Sequence, residues 1–281
     1  LPDAGSVAVP GAKLHWVAEG KGTPCVVIGS SVYYPRTFSA ELKKRFRFYF
    51  VDLRWFTPDL KNDSPLGTTR HSLSDDVERI RQGLGLQKMV LVGHSIHGCV
   101  AFEYARRHPD RVSRLVLIGS PPDFANAAYD AAVDAVWKTA SAERQKLQTE
   151  NWMHAEHFRQ SPPEPVVEDY LAMAPKYWAN PRYDAGWLWR GMTIHTELLK
   201  SLYSVVFSPY QMLGSPASVP VPTWAATGKY DYVIPASLWD RYSTVKGLRV
   251  TTFSHSGHTP QLEEPAAFDA EFSRWVGGVS R

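Results

Sequence analysis

Met89-Val90-Leu91-Val92-Gly93-His94-Ser95-Ile96-His97-Gly98 is the stretch on which the reading of the fold turns. Four consecutive apolar residues describe a short strand buried on both faces. Gly93-His94-Ser95 then turns the chain, and Ser95 to His108 reads as a helix closed by Pro109. A serine on a sharp strand-to-helix turn holds its hydroxyl above the sheet, where a substrate can reach it. The same turn leaves the backbone N–H of Ile96 at a helix N-terminus, free to donate to a developing oxyanion. Ser95 is therefore the expected nucleophile.

Working outward, the flanking chain repeats the strand–helix alternation. Leu14 to Ala18, Cys25 to Ile28, Phe48 to Leu53 and Leu115 to Ile118 read as strands. Phe38 to Phe46 has helical spacing. Leu73, Val77, Ile80 and Leu84 share one helical face, with Ser74 and Asp75 as start signals and Gly85 as a stop. After Val221 come a strand at Thr223 to Thr227, a helix at Ser237 to Tyr242, a strand at Leu248 to Phe253 and a helix at Ala266 to Trp275. This order predicts an α/β fold, a mostly parallel sheet with helices on both faces. Ligands of such sheets bind beyond the carboxyl ends of the strands.

Between the two α/β parts the character changes. Residues 123–219 are helix-prone, rich in Trp and Tyr, and punctuated by Pro162, Pro163, Pro165, Pro175 and Pro181. The expected division is an α/β core at 1–122 and 220–281 with a helical cap at 123–219. At 281 residues, the chain has room for one core and one insertion.

A serine hydroxyl is a weak nucleophile and needs a base. Ser256-Gly257-His258-Thr259-Pro260 follows a predicted strand, and Gly228-Lys229-Tyr230-Asp231 follows another. Both loops lie on the rim that carries Ser95. His258 is the expected base, and Asp231 the carboxylate that fixes its tautomer. Asp123, after the strand at Leu115 to Ile118, is the rival acid. His255 lacks the surroundings of His258, and His94 is expected to pack away from Ser95.

These three pieces together resemble the α/β-hydrolase superfamily over nearly the whole chain. The likeness is greatest to its capped branch of proline iminopeptidase-like and esterase-like serine hydrolases. The matching residues are Gly93-His94-Ser95-Ile96, Gly228-Lys229-Tyr230-Asp231 with Pro235, and Gly257-His258-Thr259-Pro260 with Glu264-Pro265. The resemblance implies the order Ser95, Asp231, His258, and by alignment makes the backbone N–H of Ser31 the second oxyanion donor. A hydroxyl of Ser30 or Ser31 is a further candidate. The chain departs from the family at two points. His97 stands where a small residue is usual, with Gly98 supplying the close approach. Gly29-Ser30-Ser31-Val32 replaces the usual His-Gly, which weighs against a peptidase. A peptidase would also need a cap carboxylate for a free amine, for which Glu150, Glu156, Glu164, Glu168 and Glu197 are candidates by location.

The implied activity is cleavage of an ester, thioester or amide of a medium-sized apolar small molecule through an acyl-enzyme, with no cofactor and no metal. Tyr33, Tyr34, His97, Tyr230 and Tyr232 are the expected pocket residues. Carbon–carbon bond hydrolysis, lactone opening and proline iminopeptidase-like cleavage are alternatives on the same triad. A slow-turnover ligand-binding receptor, or an engineered scaffold, is an alternative of another kind. A net charge of +3, without a basic patch larger than Lys43-Lys44-Arg45 and Arg47, argues against nucleic-acid partners. No apolar run is long enough for a membrane span. The start, Leu1 to Gly5, carries no signal-peptide pattern, and the two cysteines, Cys25 and Cys99, sit in apolar settings. The expected location is cytoplasmic. His154 and His157 at i, i+3 are expected on a solvated helix face, and oligomeric state is left open.

Overall fold

The computed structural model describes residues 3–61, 67–124, 127–158, 164–213 and 218–277. Among the described residues, nine strands form one sheet: β1 (Ala4–Val9), β2 (Ala12–Gly20), β3 (Thr23–Gly29), β4 (Phe46–Asp52), β5 (Asp59–Leu60), β6 (Met89–His94), β7 (Val112–Ile118), β8 (Ser218–Gly228) and β9 (Lys246–Phe253). Their order is β1-β2-β4-β3-β6-β7-β8-β9, with β5 paired to β2. The pairs β1/β2, β2/β4 and β2/β5 are antiparallel. From β4 to β9 every pair is parallel.

Parallel strands need crossovers, and these are helices. Before β8 they are α1 (Ala40–Lys43), α2 (Arg70–Gly83) and α3 (His97–Arg107). Between β7 and β8 lie α4 (Ala127–Lys138), α5 (Ala142–Met153), α6 (Pro165–Ala172), α7 (Ala174–Tyr177), α8 (Gly186–Trp189) and α9 (Thr196–Leu202), and α10 (Pro260–Glu263) and α11 (Pro265–Val276) follow β9. Alternate residues of the central strands enter two cores. Val26, Ile28, Leu91 and Leu115 pack with Val77, Ile80 and Phe102 of α2 and α3. Cys25, Val27, Val90 and Val92 pack with Leu42 of α1 and Phe268 and Phe272 of α11. Both faces are thus covered, so the central strands are apolar throughout.

The structure corrects several expected boundaries. The helix expected at Phe38 to Phe46 shrinks to α1, capped by the Ser39 hydroxyl, which accepts the Leu42 N–H. Phe38 and Phe46 join an aromatic cluster with Phe48 and Phe272, so their spacing reports tertiary packing. Helix α2 begins earlier than expected. Thr69 caps it in a reciprocal pair with Ser72, while Ser74 lies buried inside. The helix expected at Ser237 to Tyr242 is a 3-10 turn at Ala236–Tyr242. Strand β8 starts at Ser218, ahead of the expected return to the core at residue 220. Strands β1 and β5 were not foreseen. Pro162 and Pro163 lie outside the described residues. Among the described residues, no helix is long and apolar enough to cross a membrane.

The turn after β6 depends on two glycines. A Cβ on Gly93 would stand 2.6 Å from Cα of Gly98, and one on Gly98 would stand 2.1 Å from Oγ of Ser120. Gly98 does provide the close approach expected of it. Gly98→Ala is therefore expected to destabilise the fold by about 1–3 kcal/mol or more, as overpacking does. Urea unfolding would measure it; a variant as stable as the parent would show that this contact yields freely.

Candidate active site

Ser95 follows the last residue of β6, and its φ of 57° is the only positive value at a non-glycine among the described residues. Its N–H donates to the carbonyl of Ile118 at the end of β7, 2.8 Å away. The left-handed conformation reverses the chain within one residue, so α3 starts at His97 and not at Ser95 as the periodicity suggests. Strain of this kind persists only where the surroundings impose it. Here they are the Ile118 bond and the Gly93–Gly98 contact.

His258 lies between β9 and α10, and Asp231 just beyond β8. His258 Nδ1 donates to Asp231 Oδ2 at 2.7 Å. Asp231 is 1% exposed, and its Oδ1 accepts the N–H groups of Val233 (3.0 Å) and Ile234 (2.7 Å). A carboxylate held this way fixes the Nδ1–H tautomer and leaves Nε2 of His258 as a lone pair. The His258 loop is itself clamped. The His258 N–H donates to the Tyr177 carbonyl at 2.6 Å. Glu263 accepts N–H bonds from Gly257 (3.0 Å), Thr259 (3.1 Å) and Ala179 (2.8 Å).

Ser95, Ile96 and His258 line one cavity of about 70 Å³. Its walls include Tyr33, Tyr34, Phe56 and His97 from the core and Tyr177 and Trp189 from the helical segment. Among the described residues, no Asp, Glu, Lys or Arg lines it. Glu150, Glu156, Glu164, Glu168 and Glu197 therefore do not supply it with a carboxylate. The volume is under half of the roughly 150 Å³ that admits a benzene ring. Among the described residues, aromatic rings account for much of the lining.

Several expected residues are placed elsewhere. Tyr230 and Tyr232 are not among the lining residues; their rings flank the buried Arg144 guanidinium at 5.7 and 5.2 Å. Arg144 donates to the carbonyls of Pro175 and Trp178, each at 2.8 Å, and of Ala179. It ties the helical segment to the loop bearing Asp231. The Ser31 N–H, expected to be an oxyanion donor, donates instead to Oδ1 of Asp52 at 2.6 Å. Asp52 ends β4 opposite Gly29 and is 3% exposed, so its carboxylate takes the nearest donors. Burial pushes that carboxyl up to about 6, against the lowering effect of the Ser31 bond. Ser30 does line the cavity, with its Oγ accepting the N–H groups of Val32 and Tyr33 at 3.1 Å each.

Asp123 is engaged by Tyr242 and Arg241. His94 is buried, lines the cavity and stands 4.7 Å, ring to ring, from His258. His97 stacks on Trp55 at 5.7 Å, meets Phe56, and has its Nδ1 2.8 Å from the Tyr34 hydroxyl, so it packs against the aromatic wall. His154, Glu156 and His157 are exposed, with possible ligating atoms within 4.8 Å of one another. Arg144, Glu263 and Asp52 escaped the sequence reading. Only Asp52, at a strand's carboxyl end, carried a local signal.

A family profile described as the alpha/beta hydrolase fold matches residues 27–265. The AB hydrolase superfamily protein YclE of Bacillus subtilis is 33% identical over 279 residues, covering 97% of this chain and 98% of its own. The pimeloyl-[acyl-carrier protein] methyl ester esterase of Vibrio vulnificus is 23% identical over 276 residues, 94% of this chain and 98% of its own. Among solved structures, an esterase from Exiguobacterium antarcticum superposes with a TM-score of 0.64 at 19% identity, covering 97% and 99% of the two chains. The chain belongs to the alpha/beta hydrolase fold family.

Proposed function

We propose that the chain is a serine esterase acting on small neutral substrates through an acyl-enzyme. The observation that carries this reading is the 2.7 Å bond from His258 to Asp231, with His258 and the strained Ser95 on one cavity. Ser95 Oγ attacks the ester carbonyl and forms the new C–O bond, while His258 Nε2 takes its proton. As the tetrahedral intermediate collapses, the bond to the alkoxy group breaks and His258 returns the proton to that oxygen. Water then repeats the sequence on the acyl-enzyme, and the acid leaves. Asp231 holds His258 in its working tautomer and stabilises the imidazolium.

The Ile96 N–H is one oxyanion donor. With the Ser31 N–H committed to Asp52, the Ser30 hydroxyl is the better second donor. Its oxygen already accepts two N–H groups, leaving its proton to point into the cavity. Residues 123–219 serve as a cap over the core at 1–122 and 220–281, since Tyr177 and Trp189 of that stretch help close the cavity. The uncharged lining favours an ester over a peptide with a free amine. The esterase named among the relatives is consistent with this chemistry.

A fluorophosphonate probe read by intact mass, with a panel of short esters, amides and aminoacyl arylamides, tests the proposal. One adduct per chain and hydrolysis confined to the neutral esters are expected. Folded protein that takes no adduct, yet melts higher in the presence of esters, would place it with the receptor-like members.

A further inference from the structure

His97 lines the cavity, is 6% exposed, and among the described residues has no hydrogen-bond partner at Nε2. What that nitrogen can offer follows from a chain of bonds behind it. His94 Nε2 lies 2.9 Å from the backbone carbonyl of His258. A carbonyl only accepts, so His94 carries its proton on Nε2. Burial, with the nearby His258 ring adding to it, holds His94 well below the usual histidine range, so the ring is neutral and its Nδ1 is a bare acceptor. Tyr34 Oη stands 3.2 Å from that Nδ1 and must donate its one proton there. The same oxygen stands 2.8 Å from Nδ1 of His97. With its proton spent, Tyr34 can only accept, so His97 Nδ1 is the protonated nitrogen. Burial also pushes His97 down to about 3, which keeps the ring neutral. Nε2 of His97 is then a fixed, unprotonated and unpartnered acceptor on a ring that lines a largely aromatic wall.

We propose that His97 Nε2 is a specificity-determining acceptor, selecting substrates whose cavity-bound part carries an un-ionised donor, a hydroxyl or an amide N–H. This builds on the serine esterase reading of Ser95. The substrate class narrows accordingly, from small neutral esters to small hydroxylated or amide-bearing ones. A carboxylate or ketone at that position would face the lone pair and be rejected. The ring's stacking on Trp55 and its Tyr34 bond hold the nitrogen in place, so it cannot turn to present a proton. An unmet buried acceptor discriminates strongly against an analogue lacking the donor.

The test uses 4-nitrophenyl esters of butanoic, 3-hydroxybutanoic and 3-methoxybutanoic acids, and the acetates of 1-propanol, propane-1,2-diol and 2-methoxypropan-1-ol. One of the two series is expected to show the hydroxylated ester preferred over its methoxy partner by about tenfold or more in kcat/KM. In His97→Phe, which keeps a ring against Trp55, that ratio is expected to fall towards one. Independently of turnover, the 15N shifts of His97 should be those of a protonated Nδ1 and an unprotonated Nε2. Equal turnover within both series, an unchanged ratio in His97→Phe, or a protonated Nε2 would overturn the proposal. If none of the esters reacts and the fluorophosphonate leaves no adduct, it is the esterase reading that fails; parent esters turned over without preference sink only the role of His97.

Discussion

Ser95→Ala is expected to lower kcat for ester hydrolysis by about 10⁶-fold and to abolish the fluorophosphonate adduct. The size follows from what is lost. At about 1.4 kcal/mol per decade, such a drop is roughly 8 kcal/mol of transition-state stabilisation, the contribution of the whole nucleophilic route and not of one contact. His258 and Asp231 act only through the Ser95 hydroxyl, so with it gone they add nothing. The residual rate would come from the Ile96 N–H and from substrate binding. The fold should not suffer, because what holds the turn is backbone: the Ser95 N–H bond to Ile118 and the approach of Gly93 to Gly98. Alanine meets the same φ of 57° that serine tolerates. Thermal unfolding close to that of the parent, beside lost turnover, would separate catalysis from stability. A variant that kept most of its activity, or still took the probe, would move the nucleophile elsewhere.

The sequence was most legible where local pattern and tertiary role coincide. Val90, Leu91 and Val92 are apolar because both faces of β6 are covered, and that run alone marks a central parallel strand. Ser95 could be read because Gly93 and Gly98 are demanded by one tight turn. Asp231 and His258 could be read because each sits at a strand end. The rest depends on groups that meet only after folding. Nothing near Arg144 in the chain announces that it will bind the carbonyls of Pro175, Trp178 and Ala179 and lie against Tyr230 and Tyr232. Placing those tyrosines in the pocket failed for that reason: they flank Asp231 in sequence, but their rings lie against Arg144. Ser31 failed likewise, since its N–H was judged by alignment while the buried Asp52 that takes it comes from the neighbouring strand. The small cavity was illegible too, because aromatic content does not say whether rings border a space or fill it.

Asp231→Asn is expected to cost about 10⁴-fold in kcat while leaving the protein folded. Asparagine can keep the carbonyl oxygen that accepts the Val233 and Ile234 N–H groups, so the loop after β8 retains its anchor. Its amide then turns NH₂ towards His258. Nδ1 of His258 now faces a donor, the proton moves to Nε2, and Ser95 meets an N–H where it needs a lone pair. The imidazolium of the transition state also loses its counter-charge. Asp123→Asn is the control, because that carboxylate is spent on Tyr242 and Arg241 and does not touch His258. It should lower the unfolding midpoint and change kcat little. Steady-state kinetics on both variants, with the His258 ring nitrogens followed by NMR, separates the two acids. A small loss in Asp231→Asn beside a large one in Asp123→Asn would transfer the acid's role to Asp123. A small loss in both would mean that neither carboxylate sets the tautomer of His258.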